Sequence, residues 1–283
     1  MLGSFEYRDP RTIAEACRLL AGEDSACLLA GGTDLFIELR AGWQNPELLI
    51  DIKGIDALGE LRTEEDGTLS IGAAVPLDAI ARSPVASGPW VALREAALSI
   101  GTQQLRHRAT LAGNLCNGSP AADTAPVLLT LGAYVMAASL ETSRQIDLAN
   151  FFTGVKRTAL RNDEMICEVR IPPQPPGLRT AFLKQQRVRG HDLAVVNVAG
   201  ALDPSSGDLR VAIGSCSPTP ILLPSINAAG VSPTALSALA IESALDHVSP
   251  IDDVRASAGY RKAVLETLID RLIARLVSPE GGA

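Results

Sequence analysis

The sequence predicts an α+β protein built from separate units, and three observations carry that reading. The first fifty residues run helix, strand, glycine turn, helix, strand. A proline cluster, PPQPPGL at 172–178, then breaks the chain, with four prolines in five positions that prevent helix and resist sheet pairing. Beyond it come three apolar strands and two long helical patterns, the pattern of a small α+β unit. The 283 residues suffice for one large domain or two smaller ones. Apolar residues make up 47% and aromatics only 4%, so Leu, Val, Ile and Ala must fill the core.

Each element has a local reason. Thr12 caps the helix IAEACRLLAG (13–22), with Gly22 as its stop. ACLLA (26–30) is a short apolar strand that runs into Gly31-Gly32-Thr33. DLFIELRAG (34–42) is a helix ending at Gly42, with Leu35, Phe36 and Leu39 on one face and Thr33 as its N-cap. ELLIDI (47–52) and GTLSIGAAVP (67–76) are strands. PLDAIARSP (76–84) is a short helix closed by Pro84. In PWVALREAALSIG (89–101), Trp90, Leu93, Ala97 and Ile100 fall at helical spacing and Gly101 ends the helix. TAPVLLTLG (124–132) is a further helix. AYVMAAS (133–139) and RQIDL (144–148) are paired strands about a polar turn, and EMICEVRIP (164–172) is a strand. The tail strands are TAFLKQQRV (180–188), DLAVVNVAGAL (192–202) and LRVAIGSCS (209–217). Its helices are SPTALSALAIESALDHV (232–248) and ASAGYRKAVLETLIDRLIARLV (256–277).

Composition excludes several classes. Lys plus Arg is 25 against 32 for Asp plus Glu, and a net charge of −7 argues against a nucleic-acid or anionic-membrane surface. The N-terminus has no apolar h-region and no run approaches the roughly 18 apolar residues of a membrane span, so a cytoplasmic location is expected. Cys17, Cys27, Cys116, Cys167 and Cys216 are dispersed, which argues against a disulfide framework, a structural zinc site and an iron–sulfur cluster on this chain. His107, His191 and His247 are too separated to suggest a metal site. The sequence lacks the G-x-G-x-x-G fingerprint after a strand, the P-loop, H-E-x-x-H and G-x-S-x-G.

Two glycine-rich stretches remain. In AGGT (30–33) a buried strand ends and a helix starts at once. Glycines there let the backbone turn sharply and approach a ligand, and free amides at a helix start favour an anion. The second stretch, ATLAGNLCNGSPAAD (109–123), reads as a loop and has no Lys or Arg. It gathers Thr110, Asn114, Asn117, Ser119 and Asp123, with Ser119 and Pro120 placed to start a helix. Arg106 and Arg108 lie just upstream and add positive potential. A diphosphate held there would rest on amides and dipoles, in the manner of backbone nests. Together the stretches point to a dinucleotide cofactor without a Rossmann motif.

LLAGGTDL (28–35) and ATLAGNLCNGSPAADTAPVLL (109–129) closely resemble the two flavin-binding motifs of the FAD-binding medium subunits of molybdenum hydroxylases, the flavoprotein subunits of carbon monoxide dehydrogenase and xanthine dehydrogenase-type enzymes. His107 stands where that pattern has Asn, and Ala112 where it has a first Gly. FEYRDP, LLIDIKGI, LSIGAAVPLDAIARSP, FFTGVKRTALRNDEMICEVRIP and FLKQQRVRGHDLAVVNVAGAL extend the likeness along the chain. The resemblance implies a vanillyl-alcohol-oxidase-type FAD-binding domain over 1–175, in subdomains of about 1–56 and 57–175, and a C-terminal α+β domain over 176–283 with a three-stranded sheet and helices.

It also implies roles. Leu28, Ala30, Gly31, Gly32, Thr33, Asp34 and Leu35, with Thr110, Ala112, Gly113 and Asn114, would contact FAD, their backbone and hydroxyls meeting its pyrophosphate. Asn117 would add a side-chain bond, and Asp123 would bind ribose or ribityl hydroxyls. Ile166 would meet the isoalloxazine through its backbone, Lys184 would lie near the ring's polar edge, and Ile100 and Leu193 would flank the ring. The implied activity is electron transfer. A small subunit with two [2Fe–2S] clusters passes electrons to FAD, and FAD reduces an external acceptor. The molybdenum cofactor sits on a large subunit, and the assembly is a dimer of heterotrimers. Two other readings stay open. A self-sufficient flavin reductase or oxidase on the same fold would need an acid–base residue, for which the few His, Tyr and Cys offer no candidate. A non-catalytic assembly protein would have lost FAD, against which Gly31, Gly32, Gly113, Asn114 and Asp123 speak.

Overall fold

A short parallel sheet opens the fold of this computed structural model, which describes residues 3–188 and 190–278. The expected ends of the two domains, 1–2 and 279–283, lie outside the described residues. The order is β1 (Glu6–Arg8), α1 (Ile13–Gly22), β2 (Ala26–Leu29), α2 (Leu35–Ala41) and β3 (Leu48–Asp51). The strands stand β1-β3-β2, with both neighbours of β3 parallel to it. Thr12 caps α1 by accepting from the Glu15 amide, and α1 buries Ala16, Cys17 and Leu20. Gly42 ends α2 in the left-handed conformation, φ +72°. Strand β1 carries no sequence signal: its three residues are all exposed, so no alternation marks them.

The middle of the chain forms an antiparallel sheet with helices against it. In order it contains β4 (Leu61–Thr63), β5 (Leu69–Gly72), α3 (Leu77–Arg82), α4 (Val91–Ser99), α5 (Gln103–Arg106), α6 (Leu111–Cys116), α7 (Thr124–Thr130), β6 (Tyr134–Ala138), β7 (Ser143–Asp147), β8 (Phe152–Gly154), β9 (Arg157–Thr158) and β10 (Met165–Ile171). The sheet order is β4-β5-β10-β6-β7. The last strand therefore lies at the centre, where it covers two hydrogen-bonding edges at once. A register shift between Ile166 and Glu168 bulges β10, and such bulges re-aim side chains.

Three local expectations need correction here. Residues 111–116 are helix rather than loop, because Thr110 caps the turn and Leu111 and Leu115 bury the inner face. Helix α2 begins after Asp34, and Thr33 makes no cap bond. Helix α7 begins at Thr124, four residues after Pro120, because Ser119 Oγ instead accepts from the Ala121 amide and closes a turn.

The third sheet contains β11 (Arg179–Gln185), β12 (Val196–Leu202), β13 (Asp208–Gly214), β14 (Ile221–Leu222) and β15 (Ile226–Asn227), followed by α8 (Pro233–His247) and α9 (Ala258–Val277). The three expected strands are antiparallel neighbours, and the two-residue strands β14 and β15 pair with the outer edge of β13. Every residue of β12 is buried because both faces are covered. Val196, Val198 and Leu202 pack in a core with Leu268, Leu272 and Leu276 of α9. Ala199, Ala201 and Phe182 point the other way, into the core that holds α4 and α7. Gly200 lets α9 lie close, since a Cβ there would sit 2.7 Å from Leu276 Cδ1. Among the described residues no helix is long and apolar enough to cross a membrane.

Leu272 is fully buried in this second core. Leu272→Ala should lower the unfolding free energy by about 2–5 kcal/mol, read as a drop in the urea midpoint at unchanged slope.

Candidate functional site

The first glycine turn lies directly against the segment that leads into α6. A Cβ added to Gly31 would sit 2.1 Å from the Arg108 carbonyl oxygen and 2.8 Å from Ala109 Cα. No side chain fits there, so glycine is what allows the parallel sheet and the α6 region to meet. The chain around α6 is pinned further by the Leu77 amide donating to the Ala109 carbonyl at 2.8 Å and by a bridge between Pro76 and Thr110.

Between these segments runs a cavity of about 710 Å³, within the roughly 300–1,000 Å³ of ligand sites. All the residues expected to bind the cofactor line it: Leu28, Ala30, Gly31, Gly32, Thr33, Asp34 and Leu35 at one turn, Ile100, Thr110, Ala112, Gly113, Asn114, Asn117 and Asp123 from the middle segment, then Ile166, Lys184 and Leu193. No backbone carbonyl accepts from the amides of Gly31, Gly32, Thr33 or Asp34 among the described residues. Backbone donors left this way need an acceptor from water or ligand. Helices α2 and α6 have only seven and six residues, so the individual amides, rather than a long macrodipole, make this wall attractive to an anion.

The polar side chains are partly committed. Thr110 Oγ1 accepts from the Gly113 amide at 3.0 Å as the α6 cap, which leaves only its proton to donate. Asn114 Oδ1 accepts from Thr124 at 2.7 Å, and Asn117 Oδ1 accepts from Lys156 Nζ, which also reaches Glu38. Each amide therefore keeps its nitrogen, a double donor, as the uncommitted end. Arg106 is committed close by: its Nη1 donates to the carbonyls of Ile100 and Gly101 at 3.1 and 3.2 Å. Its guanidinium holds the Ile100 turn.

Asp123 and Lys184 differ most from expectation. Lys184 Nζ donates to Asp123 Oδ2 at 2.6 Å and to the Ser99 carbonyl at 3.2 Å. Their side chains are only 7% and 6% exposed. Asn197 Nδ2 donates to the other carboxylate oxygen at 2.8 Å. Burial pushes the Asp123 carboxyl upward against the lowering by Lys184 and Asn197. Each Asp123 oxygen thus has a protein partner already, and Lys184 presents a compensated charge rather than a free one.

Further residues on the wall were not read as site residues from the sequence: Ile52, Leu160, Arg161, Asn162, Glu164 and Asp192, and His191, which was considered only for a metal. Glu164 carries no pattern that separates it from a surface acid, yet its side chain is 1% exposed. Arg144 grips both its oxygens, Nε to Oε1 at 2.7 Å and Nη2 to Oε2 at 2.9 Å, and the Arg161 amide donates to Oε2 at 2.7 Å. Asp192 accepts from the Arg187 guanidinium and from the Arg187 and Leu193 amides, which folds the segment carrying Leu193 to the cavity. Asn197 did have a signal, as the lone polar residue inside AVVNVAGAL.

A cavity of this size lined by unpartnered amides, by the amide nitrogens of Asn114 and Asn117 and by apolar Ile100, Ile166 and Leu193 suits a dinucleotide. Comparison with known proteins specifies it. Residues 3–174 match the family model described as the FAD binding domain in molybdopterin dehydrogenase, and 181–276 match the CO dehydrogenase flavoprotein C-terminal domain. The chain belongs to this family of FAD-binding subunits of molybdenum hydroxylases, and its cofactor is FAD. It is 32% identical over 283 residues to the xanthine dehydrogenase FAD-binding subunit of Escherichia coli O157:H7, covering 98% of this chain and 97% of that one. It is 30% identical over 278 residues to the carbon monoxide dehydrogenase medium chain of Hydrogenophaga pseudoflava, covering 95% and 96%. A solved structure of carbon monoxide dehydrogenase from the same organism, lacking the Mo-pyranopterin moiety, superposes with a TM-score of 0.90 at 28% identity over 98% of both chains.

The grip on Glu164 sets a pH dependence. Arg144 first, and then the Arg161 amide, hold its carboxyl below the usual range against burial. A depressed native value stabilises the fold above the ordinary glutamate pKa, about 4.3, and that stability is lost as pH falls through the native value. Glu164→Gln should cost about 1–3 kcal/mol in urea unfolding at pH 7. The difference from wild type should shrink as the pH falls below that range.

Proposed function

We propose that FAD lies extended along this cleft, with its pyrophosphate between the turn at Ala30–Asp34 and the α6 start at Thr110–Asn114. The observation that supports this is the run of unpartnered amides at Gly31, Gly32, Thr33 and Asp34 on the wall of a cavity of cofactor size. In this reading the uncommitted nitrogens of Asn114 and Asn117 donate to phosphate oxygens. The Ala112 amide and the Thr110 proton complete the grip, and Gly113, whose amide is spent on Thr110 Oγ1, lines it. Leu28 and Leu35 flank it. Ile100, Ile166 and Leu193 cover the ring and keep water from it. The Asp123–Lys184 pair meets its polar edge or the neighbouring hydroxyls. The chain divides near 175: 1–175 holds the cofactor in subdomains of about 1–56 and 57–175, and 176–283 closes the cleft with Lys184 and Leu193.

When bound, FAD supplies the redox chemistry, storing electrons that arrive singly and delivering them to an external acceptor. The residues of this chain bind it, orient it, exclude water and set the charge around it. The chain serves as the electron-transfer subunit of a cytoplasmic molybdenum hydroxylase. Its partners are a small subunit with two [2Fe–2S] clusters and a large subunit with the molybdenum cofactor, as a dimer of heterotrimers. The names of relatives support the subunit role: they are FAD-binding subunits or a medium chain of dehydrogenases.

Denaturing the purified chain should release FAD in equimolar amount, and a folded preparation that never takes up FAD would overturn the reading. Gly31→Ala drives a methyl into the Arg108 carbonyl. It should weaken FAD binding at least about tenfold, 1.4 kcal/mol, in a fluorescence titration of apoprotein. Affinity purification from the native host should bring iron and molybdenum with the chain, and a preparation carrying neither would count against the proposed partners.

A further inference from the structure

Lys184, Asn197 and Gly214 form one row across the third sheet, where Lys184 pairs with Asn197 in register and Asn197 with Gly214. The row abuts the start of α7. Lys184 and Asn197 each take one oxygen of Asp123. Asn197 is 0% exposed, and its Oδ1 has no partner. An amide oxygen left this way costs about 1–3 kcal/mol, and an apolar side chain would avoid that cost. The row is nonetheless built around the amide. A Cβ at Gly214 would sit 2.1 Å from Asn197 Oδ1 and 3.2 Å from Pro126 Cγ, so glycine there makes the room. What Asn197 accomplishes is to give a buried carboxylate its second donor.

We propose that Asn197 is a positioning residue: it keeps Asp123 ionised and paired with Lys184, so that the wall beside the bound flavin carries a neutral ion pair, and it thereby sets the flavin's reduction potential. This rests on the placement of FAD in the cleft. Burial already drives Asp123 toward its neutral form. The charged group that meets it is Lys184 on β11, while Ser99 of α4 and Asn197 of β12 are uncharged. Elsewhere on the wall Glu164 is paired with Arg144, Asp192 with Arg187, and Glu38 with Lys156; Asp34, Arg161 and His191 line it too. Without the Asn197 donor, Asp123 takes up a proton at higher pH. Lys184 then stands as an uncompensated positive charge in a wall of low polarity, which favours electron uptake by a neighbouring ring.

The test uses the full chain, stripped of FAD and reconstituted. FAD affinity is read by fluorescence titration, and the midpoint potential of bound FAD is followed against pH in dye-equilibrated reductive titrations. Asn197→Leu removes the donor at similar volume. It should bind FAD with a potential whose Asp123-linked step against pH lies about one pH unit above that of wild type, the effect of losing one hydrogen bond to a charged group. Asn197→Asp places a second carboxyl against Asp123, so that the two share a proton, and should move the step further. In an Asp123→Asn background Asn197→Leu should leave the potential unchanged. Variants that bind FAD with the wild-type potential at every pH would overturn the proposal, whatever their melting temperature. Loss of all FAD binding in both variants would also count against it, by giving Asn197 a purely structural role. A wild-type chain that takes up no FAD would instead bring down the placement of the cofactor, and this proposal with it.

Discussion

The contact between Gly31 and the Arg108 carbonyl holds the site together. The first turn ends a parallel strand, and Arg108 leads into a helix packed with an antiparallel sheet, so the two come from elements with separate hydrogen-bond networks. Their backbones approach more closely than any side chain permits. Once they meet, the amides of residues 31–34 are held out of reach of other carbonyls and yet at a cavity wall. The same missing Cβ thus brings the walls together and leaves the donors unspent. An anion held by fixed amides would need no cation within residues 109–123, which contain no Lys or Arg.

The third sheet contributes through a different interaction. Its β12 is buried on both faces, and most of the face toward α4 and α7 is small and apolar. The exception is the row at Lys184 and Asn197, where a carboxylate from the α7 start is met by an ammonium and an amide. A buried charge is tolerated only with a partner and satisfied lone pairs. Asp123 meets that condition only when the sheet is docked, so the charge that shapes the cavity also ties the C-terminal part of the chain to the part that carries the glycine turns.

Polar groups around the cleft are for the most part shared between holding the protein and facing the cavity. Thr110 spends a lone pair on a helix cap, Asn114 and Asn117 spend their oxygens on Thr124 and Lys156, and Arg106 spends its guanidinium on the Ile100 turn. Thr110, Asn114 and Asn117 are each held by one bond that leaves a donor uncommitted. This is preorganisation in the sense that matters for binding: the rotamer entropy is lost on folding and not again on association.

The sequence by itself determined the identity and order of the long elements. Capping at Thr12 and the left-handed end at Gly42 are local effects, decided within a few residues, and the tail strands are legible as apolar runs. It also picked out many of the cleft-lining residues, because glycine turns and convergent polar groups are legible as types, and the family likeness along the chain added Ile166, Lys184 and Leu193. Only the tertiary structure decided what those groups do. That Lys184 is compensated by Asp123, and that Asn197 takes the other Asp123 oxygen, depends on partners 61 and 74 residues distant. Short exposed strands such as β1 and buried acids such as Glu164 escaped for the same reason, since their structure comes from a partner elsewhere in the chain. A residue type states which bonds it can make, whereas packing decides which of them are taken.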